Sequence, residues 1–156
     1  MEISNSGNLI AVIVVTSSIC ILIYFAVKTL ITSNRFQKGL TLYQQKDYKN
    51  AETAFRGVIS MNSTNDVVHL LLGDCLMQQQ QVEEAQAQFQ DVITRAPKKA
   101  DAYLRLSNAL MLQGNKIDAV VNLEKARDLL TAQRQLQQAE KITKLLQNLK
   151  DNLDSQ

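Results

Sequence analysis

Apolar and polar positions follow three successive rhythms along this chain. From Leu9 to Val27, 19 consecutive positions carry no charge, and 12 of them are Leu, Ile, Val or Phe. Coiled as a helix rising 1.5 Å per residue, the run spans ~28 Å, which matches the hydrocarbon core of a bilayer. Its large apolar side chains favour insertion by roughly 4 to 7 kcal/mol. Thr16, Ser17 and Ser18 offset part of that, but their hydroxyls can bond back to carbonyls one turn earlier and so need no partner in lipid. The pattern predicts a short tail over 1–8 and a transmembrane helix over 9–31. Beyond it, apolar residues recur at helical spacing inside a larger unit of constant length. From Arg134 that unit dissolves, while Leu136, Ala139, Ile142, Leu145, Leu146, Leu149 and Leu153 keep the helical period to the end, predicting a capping helix over 134–156.

The larger unit is 34 residues, repeated without insertion. Gly39, Gly73 and Ser107 fall in one register, followed by Leu42, Leu76 and Leu110. Next come Ala51, Ala85 and Ala119, then Phe55, Phe89 and Leu123, then Val58, Val92 and Ala126. Turn residues lie between the two halves of each unit, at Gln45-Lys46-Asp47, Gln79-Gln80-Gln81 and Gly114-Asn115-Lys116. Pro97, the single proline, ends the second unit because it cannot continue a helix. Each unit therefore reads as two antiparallel helices. Gly or Ala at their crossing lets the backbones approach closely enough for ridges to enter grooves.

This pattern resembles the tetratricopeptide repeat. Leu72-Gly73, Leu76, Ala85, Phe89 and Pro97 carry the resemblance in repeat two. Repeat one has Lys38-Gly39 and repeat three Tyr103 with Leu106-Ser107, both without the proline. The resemblance implies an all-α chain: an N-terminal transmembrane helix, an α-solenoid of three repeats at 32–65, 66–99 and 100–133, and the capping helix. Three stacked copies supply the minimum continuous core, since one repeat cannot bury its own apolar face.

Composition narrows the chemistry. A formal charge of +2 from 17 basic and 15 acidic residues offers no clustered cationic surface for nucleic acid. One histidine, two cysteines 55 positions apart and five scattered glycines supply neither a metal set nor a phosphate-cradling loop. No enzyme activity, cofactor, metal or small-molecule substrate is expected. Cys20 and Cys75 read as packing residues, His69 as a helix-packing position, and Arg95, Lys98 and Lys99 as an ordinary basic corner. Residues 1 to 27 hold no Lys or Arg, whereas Lys28, Arg35, Lys38 and Lys46 follow directly. That asymmetry places the repeats on the cytoplasmic or stromal side. The missing basic residues before the run, its length and the lack of a small-x-small site after Tyr24 favour a retained anchor over a cleaved leader.

In tetratricopeptide proteins the first helix of each repeat lines the concave face. Carried onto this chain, the groove positions implied are Ser33, Phe36, Leu40 and Tyr43, then Val67, Leu70, Asp74 and Met77, then Asp101, Leu104, Asn108 and Met111. Such a groove is expected to be largely apolar and to take an amphipathic helix or an apolar extended segment; the alternative is that Leu40, Tyr43, Leu70 and Met77 pack on neighbouring helices or under the C-terminal helix. The family's carboxylate clamp is not expected: Phe36 and Leu40 occupy its two positions in repeat one, and Arg105 with Asn108 does not rebuild it. Anchor, three repeats and terminal helix together resemble the membrane-anchored photosystem I assembly proteins of cyanobacteria and algal plastids. That resemblance implies a single-pass thylakoid protein whose clients are photosystem I subunits or assembly intermediates. The alternative from the same architecture is an organelle or envelope receptor that docks targeting peptides or recruits other machinery.

Overall fold

A computed structural model of the chain describes the backbone of residues 3–154 and the side chains of residues 9–151. It contains seven helices and, among the described residues, no strand. They are α1 (Ile3–Gln44), α2 (Tyr48–Ile59), α3 (Asp66–Gln78), α4 (Val82–Arg95), α5 (Ala100–Leu112), α6 (Lys116–Ala132) and α7 (Leu136–Asp154). Each helix packs on its sequence neighbours, so the array is a row of antiparallel pairs, α1 with α2, α3 with α4 and α5 with α6, closed by α7.

The turns inside the pairs repeat one device. Lys46, Gln80 and Gly114, spaced by the 34-residue period, all take the left-handed conformation with φ of 63°, 62° and 77°. The next amide then reaches back to a leucine carbonyl, from Asp47 to Leu42, Gln81 to Leu76 and Asn115 to Leu110, each at 2.9 Å. This is the Schellman closure, which satisfies carbonyls that the helix end leaves open. Asp47, Asn65 and Asn115 cap α2, α3 and α6 by accepting from the backbone N–H three residues on.

The small residues of the repeat register sit against aromatic rings. A Cβ on Gly39 would lie 2.7 Å from Phe55 Cε1, and one on Gly73 closer still to Phe89 Cε1. Around these contacts Phe55, Phe89, Leu72, Leu76 and Val92 are fully buried. A second cluster joins Leu123, Ala126 and Leu130 of α6 to Ala139, Ile142 and Leu146 of α7. Repeat three replaces the Gly–Phe pair with Ser107 and Leu123, both buried.

α1 departs from the expected segmentation. It is one helix of 42 residues. The expected boundary at 31 lies inside it, and residues 3–8 of the expected tail are helical. The physical reason is continuity: neither Gly nor Pro lies between Asn8 and Gln37, and extending a helix adds one hydrogen bond per residue at little cost. Thr16 donates to Val12 O at 2.9 Å, Ser17 to Val14 O at 2.9 Å and Ser18 to Val14 O at 2.7 Å, so the hydroxyls within the apolar run are satisfied by their own helix. α7, in contrast, is separate from α6. Arg134 adopts φ 60° and Gln135 N bonds Leu130 O at 2.9 Å, a fourth copy of the same closure.

Candidate functional site

The first helices of the three pairs, α1, α3 and α5, face a shared concavity. Its floor is a cavity of about 200 Å³ lined by Tyr43 of α1, Asp74, Met77 and Gln78 of α3, Phe89 of α4 and Arg105 and Asn108 of α5. Among the described residues α7 contributes none of this lining. It packs on the far side of the third repeat, where Lys150 Nζ bonds Glu124 Oε1 at 2.8 Å.

Placement of the nine expected groove residues follows from helix geometry. Tyr43, Asp74, Met77 and Asn108 line the cavity. Phe36 lies two turns before Tyr43, half-buried against Phe55 at 6.3 Å between ring centroids. Leu40 is half-buried between them. Leu70, only 4% exposed, belongs to the core and offers nothing to a ligand, because α3 is flanked by two helix pairs and buries more of its circumference than α1. Met111 packs on the same core and Leu104 on the second cluster. Of the outer positions, Ser33, Val67 and Asp101 are exposed.

The floor is polar, not apolar as expected. Arg105 Nη1 donates to Asp74 Oδ2 across the gap between α5 and α3, and the Asp74 side chain is only 16% exposed. Burial raises the Asp74 carboxyl above its usual range, and the Arg105 guanidinium draws it back without cancelling the effect. The Tyr43 phenol is raised too, first by burial and then by the Asp74 charge. Asn108 and Gln78 present side-chain amides that make no hydrogen bond among the described residues. Arg105 and Gln78 were not among the expected groove residues. Arg105 was visible in the sequence: it stands three before Asn108 and so shares its face of α5, but in the other copies of its register Leu71 and Gln37 carry no matching cation.

His69 has a structural role. It is 6% exposed, with Nδ1 at 2.8 Å from Gln88 Oε1 and Nε2 at 2.9 Å from Ser63 O, tying α3 to α4 and to the turn before it. Burial pushes the Cys75 thiol up to about 12, with the Asp74 charge adding to it.

Residues 42–98 match the tetratricopeptide repeat family. No curated protein matches the chain by sequence. The Yersinia enterocolitica type III secretion translocator chaperone SycD is similar in structure, with a TM-score of 0.73 at 16% identity over 78% of this chain and 85% of that one. SycD in complex with a peptide of the translocator YopD superposes with a TM-score of 0.72 at 17% identity over 80% and 94%. The TPR2B domain of yeast Sti1, in complex with an Hsp70 peptide, has a TM-score of 0.72 at 19% identity, covering 79% of this chain and 98% of that one. At these identities the likeness establishes the fold. Residues 42–98 thus match the tetratricopeptide repeat family, and the array of helix pairs has the fold of the tetratricopeptide-repeat structures it resembles.

Proposed function

We propose that this chain is a membrane-anchored scaffold that holds protein clients on its concave face, and that those clients are photosystem I subunits or assembly intermediates at a thylakoid membrane. The observation that carries the proposal is α1. One uninterrupted helix joins the first repeat to an apolar rod, Leu9 to Val27, whose large side chains are 49% to 68% exposed, none of them buried among the described residues. A stretch of that size left in water is unstable, and its charge-free length suits a bilayer. The basic residues from Lys28 onward favour the stromal or cytoplasmic side for the repeats.

A client role is supported by the concave floor. Asn108 and Gln78 each offer a donor and an acceptor, the complement of a peptide group in an extended chain. Tyr43 and Met77 supply apolar surface beside them. Structural relatives include complexes with peptides, among them the YopD and Hsp70 peptides. The photosystem I client is supported by the resemblance in architecture: one anchor, three uninterrupted repeats and a terminal helix. A continuous helix from bilayer to groove also confines the groove to the surface where membrane-inserted clients emerge, raising their effective concentration.

The test is affinity purification of the full chain from detergent-solubilised membranes, with quantification of both photosystems after deletion of the gene. Co-purification of photosystem I subunits and a selective fall in photosystem I are expected. Recovery of translocase or division components with unchanged photosystem I would contradict the client assignment. Release of the chain from membranes by alkaline washing would contradict the anchor.

A further inference from the structure

Because α1 runs unbroken from the apolar segment into the first repeat, the direction of every later helix relative to a bilayer is determined by alternation. α1, α3 and α5 lead away from the apolar end, and α2, α4 and α6 lead back towards it. The turns at 60–65, 96–99 and 133–135 therefore gather at the apolar end. Contacts along the row agree. The Thr32 hydroxyl donates to Met61 Sδ at 3.5 Å, and a cavity of about 470 Å³ places Phe25 and Lys28 beside Met61 and Asn62. Arg95 pairs with Asp66 at 2.7 Å, joining the second turn to the first. Gln133 Nε2 donates to Lys98 O at 2.8 Å, joining the third to the second.

This end of the row is basic. Its three turns contain Lys98, Lys99 and Arg134 and no acid, and Lys28 stands beside them on α1. The nearest acids are Asp66, already paired with Arg95, and Asp101. The corresponding turns at the opposite end, 45–47, 79–81 and 113–115, hold only Lys46 and Asp47 and so carry no net charge; the first turns of the helices after them add Lys49 and Lys116 against Glu83, Glu84 and Asp118. Between the second and third basic turns lies a cavity of about 600 Å³, whose lining includes the cations Lys98 and Lys99, one carboxylate, Asp101, and Leu130, Gln133 and Gln135.

We propose that the turns at 96–99 and 133–135 dock on the anionic headgroups of the bilayer that α1 crosses, so that the repeat row lies along the membrane with its groove held at the surface. The proposal rests on the anchor reading above. The occupant follows from charge complementarity and from continuity: Met61 touches Thr32, just beyond the apolar run, and shares a cavity with Phe25 inside it, and helix pairs stack across the helix axes, which carries the next two turns sideways from there. Basic residues near an anionic surface are each attracted to it, and the attraction fades within a Debye length.

Hydrogen exchange of the full chain in nanodiscs tests this, comparing phosphatidylcholine alone with discs containing about a third phosphatidylglycerol. Amides over 95–103 and 129–136 should exchange at least about fivefold more slowly in the anionic discs. The difference should vanish at high salt and in the K98E/R134E variant, both of whose sites are solvent-exposed, and should persist in K46E/K49E at the opposite end. A chain that enters the discs but exchanges equally in both lipids overturns the docking alone. So does K98E/R134E if its exchange slows as much as the native chain's, which would point to a surface of another kind. A chain that does not enter the discs overturns the anchor reading together with the docking.

Discussion

Arg105 on α5 donates to the Asp74 carboxylate on α3, fastening the second repeat to the third at the floor of the groove. Replacing Arg105 by Gln leaves a largely buried carboxylate without its cation, at a cost of about 2 kcal/mol near neutral pH. The sign of the pH dependence follows from the raised Asp74 carboxyl. The folded state holds its proton more tightly than the unfolded chain, so this group's contribution to stability falls as pH rises through the window above the ordinary carboxylate value. Loss of Arg105 widens that window upward. Urea unfolding should show the R105Q deficit shrinking as pH falls towards the carboxylate range, and D74N/R105Q should recover most of the loss at neutral pH. A deficit independent of pH would contradict the pairing.

Gly73 and Phe89 are coupled by contact, since any Cβ on Gly73 enters the ring. Gly73→Ser alone should cost about 2 kcal/mol through overpacking. The third repeat already contains the relieved combination, Ser107 with Leu123. G73S/F89L should therefore be more stable than the sum of its single variants by about 1 kcal/mol in a double-mutant cycle. Additive losses would mean that the two sites relax independently.

Gln80 occupies the left-handed position that Gly114 holds in the third repeat. A side chain there is sterically opposed, whereas glycine enters freely but loses more entropy on folding. Gln80→Gly should raise stability by about 0.5 kcal/mol, read as a higher thermal midpoint, and Gly114→Ala should lower it. Unchanged midpoints in both variants would show that the closure is not strained.

Much of the architecture was legible in the sequence, and the reason is periodicity. Matches at Gly39 and Gly73, Leu42 and Leu76, and Phe55 and Phe89 record the same packing problem solved repeatedly, and the all-helical fold they imply is the one observed. What the register conceals is whatever differs between copies. Arg105 faces Asp74 only because neighbouring repeats stack, a relation between positions 31 apart that no single repeat contains. Leu70 shows the complementary failure: its position faces the groove in the repeat pattern, yet α3 lies between two helix pairs and the side chain is consumed by the core. The continuity of α1 was concealed for another reason. A change from apolar to polar residues marks a change of surroundings, and a helix can pass through it unbroken.

Cys75 is fully buried and its thiol is held up at about 12. Only the thiolate reacts with alkylating reagents. In the folded chain at pH 8, mass spectrometry should find Cys75 unmodified by a maleimide, with reaction appearing on denaturation. Modification at equal rates in folded and unfolded chain would contradict the packing of α3.

In the proposed function, clients occupy the concave face of an anchored repeat row. A photo-crosslinking residue at Asn108, in the full chain in native membranes, tests it most directly, with the same residue at Lys125, exposed on α6 outside the cavity lining, as the reference. Crosslinks to photosystem I subunits from Asn108 and few from Lys125 are predicted. Equal yields from the two positions, or none from Asn108 while photosystem I assembly proceeds, would contradict it.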